Sequence, residues 1–219
     1  MNVICLRCDV GIAPYIAYIF FTHTMWAPLL DVSGGLCYNL TGDIMIAVSL
    51  IDIDKKNQHS HAHRLLRECL KTFGIDYTEE SPVTKGKFGK PSLTEHPEIH
   101  YNISHADGIS ACIVSGKECG IDCERIRPLR PAVMRRAFSE NERQLMENAP
   151  DELKDMLFFR LWTLKEAYIK AVGTGLSFPL EKAEFILTED GFTTAIDGYK
   201  FRQYIIRGEF VVSVCVSLD

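Results

Sequence analysis

The sequence predicts an α+β fold, on three observations. Apolar residues recur at helical spacing in two long stretches, the last third alternates like a run of strands, and Asp-Gly pairs mark hairpin turns within that run. Helices segregated from an antiparallel meander indicate this class rather than alternating βαβ units.

Asn2–Cys8 reads as a short strand, and residues 10–50 are apolar without a clear period. From Asp54 to Phe73, Leu65, Leu66, Cys69, Leu70 and Phe73 share one helical face, and Gly74 stops the helix. Residues 78–98 are turn-rich, with Pro82, Gly86, Gly89, Pro91 and Pro97. Ile99–Ile103, Ile109–Ser115 and Cys119–Glu124 read as strands, after which Pro128 and Pro131 break the chain. Ser139 and Glu142 have capping-box spacing, so a helix is expected from there to Ala149, ended by Pro150. A second helix is expected over Glu152–Val172, with Asp151 as N-cap and Gly173 as C-cap. Ala183–Thr188, Phe192–Ile196, Tyr199–Ile206 and Phe210–Ser217 read as strands, turned at Asp190-Gly191 and Asp197-Gly198.

The chain has 219 residues, 47% hydrophobic and 24% charged, enough apolar material to build a core without metal or disulfide staples. A net charge of −5 and a pI near 5.8 argue against general nucleic-acid binding, so no nucleic acid is expected as partner. The eight cysteines are scattered, several of them in apolar runs, which fits reduced thiols in a cytoplasmic protein. Cys5 and Cys8 form a CxxC, but the second half of a zinc site is missing. Val10 to Leu30 carries no Asp, Glu, Lys or Arg. Pro14, Thr22, His23 and Thr24 interrupt it and no basic cluster flanks it, so a buried segment is expected rather than a membrane span.

Four groups of residues carry chemistry. In Gly120-Ile121-Asp122-Cys123-Glu124, a strand places Asp122 and Glu124 on one side and turns Ile121 and Cys123 to the core. Two adjacent carboxylates suit a hard cation such as Mg²⁺, although a solvated strand face has the same spacing. In Trp162-Thr163-Leu164-Lys165-Glu166-Ala167-Tyr168-Ile169-Lys170, Trp162, Glu166 and Lys170 form one i, i+4 row. That row is either a surface Glu–Lys pair beside a tryptophan or a further metal carboxylate beside a phosphate-neutralising lysine. Ser104 and His105 follow a strand; being neighbours on it they point apart, which speaks against a nucleophile–base pair, but both could contact phosphate. Lys90 sits in a rigid Gly89-Lys90-Pro91 turn, as an ordinary loop lysine or a phosphate ligand. His59, His61 and His63 do not share one helical face, so no metal site is expected there.

Taken in order, G-K-P-S-L, N-I-S-H, G-I-D-C-E and W-T-L-K-E-A-Y-I-K-A-V-G-T-G-L-S resemble the motifs of the Sfp-type 4'-phosphopantetheinyl transferases, across about residues 60–180. The resemblance implies Mg²⁺-dependent transfer of phosphopantetheine from coenzyme A to a serine of an apo acyl or peptidyl carrier protein, releasing 3',5'-ADP. It implies Asp122, Glu124 and Glu166 as metal ligands. Glu166 would also take the serine proton, and Lys170 would neutralise or protonate the leaving phosphate. Lys165 would help hold the diphosphate. Arg64, Lys90, Ser104 and His105 would contact coenzyme A, with His105 near the 3'-phosphate and Arg64 near the adenosine. It implies two similar α/β halves packed as an internal pseudodimer, each an antiparallel sheet with a long helix, here residues 1–103 and 104–219, and therefore a monomer. Five arginines between Arg125 and Arg136 could steer an acidic carrier or simply form a solvated face. The first fifty residues depart from the family pattern: before Lys55 the only Lys or Arg is Arg7. Two other readings stay open, a relative that only binds coenzyme A or carrier, and a Mg²⁺-dependent phosphohydrolase.

Overall fold

The computed structural model describes residues 29–32, 35–41, 44–50, 55–188 and 191–219. The expected strand Asn2–Cys8, the Cys5/Cys8 pair and most of the uncharged stretch from Val10 lie outside them. In chain order, β1 (Leu29–Val32), β2 (Gly35–Thr41) and β3 (Ile44–Leu50) precede α1 (Lys55–Thr72). A short hairpin of β4 (Val83–Lys85) and β5 (Pro91–Leu93) leads to β6 (His100–Ala106), β7 (Ile109–Ser115) and β8 (Cys119–Arg125). Helices α2 (Pro131–Ala137), α3 (Glu140–Asn148) and α4 (Asp151–Val172) follow, then β9 (Ile186–Thr188), β10 (Gly191–Thr193), β11 (Tyr199–Ile206) and β12 (Phe210–Ser217).

Local chemistry explains the boundaries. Leu65, Leu66, Cys69 and Leu70 of α1 are buried, as their spacing requires, and Gly74 takes the left-handed conformation just beyond the helix. Ser139 and Glu142 form the expected capping box at α3. Gly173 ends α4 at φ 75°, its N–H returning to the Ile169 carbonyl. Pro131 was expected to break the chain but opens α2, because a proline in the first helical turn forfeits no intrahelical hydrogen bond. The expected strand from Ala183 begins only at Ile186, since Leu180–Lys182 forms a single 3₁₀ turn.

Among the described residues all strand pairs are antiparallel, and two sheets matter for the site. One has the order β1-β2-β3-β7-β6, the other β11-β12-β8. Period-two alternation assigns each strand face. Ile109, Ala111 and Ile113 of β7 meet Cys119, Ile121 and Cys123 of β8 and Val212 and Val214 of β12 in a core between the sheets. Cys112 and Val114, on the other face of β7, pack under Leu66, Cys69 and Leu70 of α1. Val211 and Cys215, on the other face of β12, pack under α4 through Leu164, Ala167 and Ala171. The layers therefore run α1, first sheet, second sheet, α4. The boundary expected between residues 103 and 104 falls inside β6, which stays paired with β7 along its length, so the first sheet runs on through Ser115. Cys69 is buried, and Cys112, Cys119, Cys123 and Cys215 are buried free thiols. Among the described residues, no helix is long and apolar enough to cross a membrane.

Candidate active site

The site begins at a residue with no side chain. A Cβ placed on Gly120 would lie 2.2 Å from the Ala167 carbonyl oxygen and 2.4 Å from the Ala171 amide nitrogen. Glycine thus lets β8 lie directly against the backbone of α4, and that contact brings the two carboxylate-bearing segments together. Asn102 of β6 fixes the same stretch from the side, its Oδ1 accepting the Ile121 N–H at 3.0 Å. Sequence reasoning assigned no role to Gly120 or Asn102, although both stood inside the quoted motifs.

Ile121 and Cys123 enter the inter-sheet core, and Asp122 turns the other way. Asp122 is 5% exposed, and its Oδ1 accepts from Lys170 Nζ at 2.6 Å and from Ser104 Oγ at 2.9 Å. Ser104 Oγ in turn accepts from the Cys123 N–H at 3.2 Å and from Lys170 at 3.2 Å. Lys170 also donates to the Ile121 carbonyl at 3.2 Å. One end of α4, β6 and β8 are thereby locked through Lys170, Ser104 and Asp122. The other oxygen of Asp122, Oδ2, is buried without a hydrogen-bond partner, which is costly unless something else meets it.

Glu124 and Glu166 complete a group with more negative charge than its cations satisfy. Arg127 donates to Glu124 Oε2 at 2.7 Å. Even so, burial pushes the Glu124 carboxyl up; Arg127 and Lys170 oppose this, and Asp122 adds to it. Burial and then the charges of Asp122 and Glu124 push Glu166 up to about 7, against the pull of Lys170. Burial disfavours the Lys170 ammonium, yet Asp122 and Glu166 outweigh it and hold Lys170 above its ordinary range. Three oxygen-donor side chains short of positive charge, one with an orphaned oxygen, fit a divalent cation such as Mg²⁺. Among the described residues, no three His, Cys, Asp or Glu side chains are arranged so that they could hold a metal ion as they stand. Asp122 and Glu124 are instead turned to Lys170 and Arg127.

His105 points away from Ser104, as neighbours on a strand must, and faces α1. Its ring lies 6.3 Å from His59, which lies 4.4 Å from His63. His61 is turned elsewhere, to Ser49 at 3.0 Å. Burial, then His59 and Lys170, lower the pKa of His105; burial and then His59 lower that of His63. Arg64 lines a cleft with Ser60, His63, Arg67 and Tyr77, and donates to His61 Nδ1 at 2.9 Å.

Two expected site residues are engaged elsewhere. Lys165 was expected at the diphosphate. It is wholly buried on another side of α4, where its ammonium meets Glu142 at 2.8 Å, the Ala183 carbonyl at 2.6 Å and the Leu180 carbonyl at 2.9 Å. Adjacent helical residues point about 100° apart, so Lys165 and Glu166 cannot both face β8. Lys90 donates to the Ala171 carbonyl at 2.6 Å and pairs with Glu118. It lies over Gly173, capping the C-terminal end of α4 rather than joining the Asp122 group.

Residues 118–215 match the model of the 4'-phosphopantetheinyl transferase superfamily. A 4'-phosphopantetheinyl transferase from Bacillus subtilis is 33% identical over 190 residues, covering 80% of this chain and 84% of that one. The Psf-1 transferase of Bacillus pumilus is 39% identical over 106 residues, covering 48% of this chain and 46% of its own length. The Sfp transferase of Bacillus subtilis strain 168 is 37% identical over 106 residues, covering 48% and 47%. Among solved structures, a holo-(acyl-carrier-protein) synthase from Bacillus anthracis in complex with CoA (3',5'-ADP) aligns at 25% identity and a TM-score of 0.38, covering 46% of this chain and 94% of that one. The matched segment contains Gly120, Asp122, Glu124, Glu166 and Lys170, and the match to the first of these relatives extends well beyond it. The chain is therefore an enzyme that belongs to the Sfp-type 4'-phosphopantetheinyl transferase family.

Proposed function

We propose that this enzyme transfers the 4'-phosphopantetheine group of coenzyme A to a serine of an apo acyl or peptidyl carrier protein, with Mg²⁺, and releases 3',5'-ADP. The observation that carries this reading is the buried Asp122 carboxylate, one oxygen held by Lys170 and Ser104 and the other without a partner, beside Glu124 and Glu166. Asp122, Glu124 and Glu166 would hold the cation. What the cation supplies when bound is neutralisation of the diphosphate. Phosphoryl transfer depends mainly on positioning and on charge stabilisation, which is what these residues offer.

The serine oxygen forms a bond to the phosphorus that carries the pantetheine arm. The bond from that phosphorus to the bridging oxygen breaks, and its electron pair leaves with 3',5'-ADP. Glu166 takes the serine proton, as a positioned carboxylate within reach of the nucleophile can. Lys170 meets the charge left on the departing phosphate. His105, with His59 and His63 behind it, and Arg64 in the adjoining cleft would receive the 3'-phosphate and adenosine end. The two helix-on-sheet layers would then be the halves of an internal pseudodimer, so that a cytoplasmic monomer suffices.

Intact mass of an apo carrier protein, after incubation with this enzyme, coenzyme A and Mg²⁺, tests the proposal. A gain of one phosphopantetheine, abolished by EDTA, is expected. Free phosphopantetheine released without carrier would indicate a phosphohydrolase instead. Coenzyme A bound but untransferred, across fatty-acid and peptide-synthetase carriers, would indicate a binding-only relative.

A further inference from the structure

The Lys165–Glu142 pair is the most deeply buried charge pair among the described residues, at 0% and 1% side-chain exposure. Every hydrogen of the Lys165 ammonium has an acceptor: Glu142, the Leu180 carbonyl and the Ala183 carbonyl. The Phe138 ring lies 5.9 Å from the same ammonium. Glu142 is equally saturated. Its Oε2 accepts the Ser139 N–H at 2.8 Å as well as Lys165, and its Oε1 accepts the Phe185 N–H at 2.9 Å. A single pair thus ties the third turn from the end of α4 to the start of α3 and to the segment 180–185.

Stability alone does not account for such a pair. Removing two charges from water costs several kcal/mol per ion, and well-packed apolar replacements of buried pairs are often neutral or stabilising. A fixed geometry does account for it. Lys165 is covalently next to Glu166, so a side chain anchored by three acceptors on one side of α4 sets the helix rotation that aims Glu166 at β8. The Gly120 contact and the Lys170–Asp122 bond hold the β8 side of α4, and the Lys165 anchor holds its far side.

We infer that Lys165 and Glu142 are positioning residues that hold the Glu166 turn of α4 in register with Asp122 and Glu124. This rests on the proposed reading of the Asp122–Glu124–Glu166 group as the metal-binding and proton-accepting site. Neither residue touches coenzyme A or carrier. They act through Glu166, on metal affinity and turnover rather than on substrate binding.

The test is the apolar double variant Glu142→Leu/Lys165→Met, with thermal unfolding, Mn²⁺ binding to the substrate-free protein followed by electron paramagnetic resonance, and steady-state transfer kinetics. The double variant is chosen because either single change strands a buried charge and would confuse misfolding with misplacement. The expected result is a melting temperature within a few degrees of the wild type, Mn²⁺ affinity weakened about tenfold, and kcat lowered about 100-fold, the scale of a displacement near 1 Å at a catalytic group. KM for coenzyme A and for carrier should change little. A double variant that melts normally, binds Mn²⁺ normally and turns over normally overturns the inference. So does one that fails to fold, since the pair would then serve stability. Failure of the wild type itself to modify any carrier or to bind Mn²⁺ would instead count against the proposed function.

Discussion

Replacing Gly120 by alanine puts a methyl carbon 2.2 Å from the Ala167 carbonyl oxygen and 2.4 Å from the Ala171 amide nitrogen. Both obstacles are helix backbone, so no side chain can swing aside. Carbon and oxygen rest at roughly 3.5 Å, so β8 and α4 must part by about 1 Å. The Lys170–Asp122 bond of 2.6 Å then stretches beyond hydrogen-bonding distance, and Glu166 withdraws from Asp122 by a similar amount. Overpacking of this kind costs about 1–3 kcal/mol. In a domain of this size that lowers the melting temperature by roughly 2–12 °C. The catalytic cost is larger: a 1 Å misplacement is worth about 100-fold in rate. The assay is carrier mass gain under single-turnover conditions beside a thermal melt of the same preparation. A Gly120→Ala enzyme with wild-type rate and melting temperature would refute the close approach of β8 to α4, and with it the account of how the carboxylates meet.

Glu166 should make the metal-free enzyme less stable as pH rises. Its folded pKa of about 7 lies above the ordinary 4.5, so its contribution is full below 4.5 and is lost as pH rises through 7. The shift corresponds to at most roughly 3 kcal/mol; in EDTA, the melting temperature of Glu166→Gln should overtake that of the wild type between pH 5 and 8, and Mg²⁺ should narrow the gap. Lys170→Met should destabilise by about 3–5 kcal/mol, because Asp122 is left buried and unpaired, and adding Asp122→Asn should recover part of that in a denaturant double-mutant cycle. Arg130, Arg135 and Arg136 are exposed and follow directly on the strand that carries Glu124. Reversing all three to Glu should raise KM for an acidic carrier at least tenfold at low salt, leave KM for coenzyme A unchanged, and lose its effect at high salt.

How much of this was legible in the sequence depended on whether a residue acts locally. The capping box of α3, the alternation in β8 and the ends of β7, β11 and β12 follow from short-range rules, and they match residue for residue. Pro131 misled because proline both breaks helices and begins them, and only the path of the following turn decides which. The carboxylate pair Asp122 and Glu124 was visible from period two alone, but what faces them was not. Lys170 lies 48 residues away from Asp122 in the chain, and the glycine that lets the two elements touch carries no chemistry of its own. Where the ammonium groups of Lys165 and Lys90 lie was hidden for a related reason. A lysine in a catalytic motif invites a phosphate, whereas the chain had already committed both ammonium groups, one to a buried carboxylate and one to the end of a helix.

Two lysines of α4, Lys165 and Lys170, show how one helix separates stability from reactivity. Lys165 is saturated by acceptors that come entirely from the protein, so nothing is left for a substrate to claim. Lys170 is shared among Asp122, Ser104 and a carbonyl, in a group where Glu124 and Glu166 still hold their protons more tightly than ordinary glutamates. That group is frustrated by itself: adding positive charge relaxes all three carboxylates at once, and adding a diphosphate gives Lys170 a second anion to meet. Cation and diphosphate should therefore bind with positive coupling, each raising the affinity for the other by the same factor. Calorimetric titration of coenzyme A with and without Mn²⁺, beside Mn²⁺ titration with and without coenzyme A, measures both sides of that cycle. Unequal factors would show that the two measurements report different sites, and a factor of one would show that the carboxylates and Lys170 do not face a common ligand.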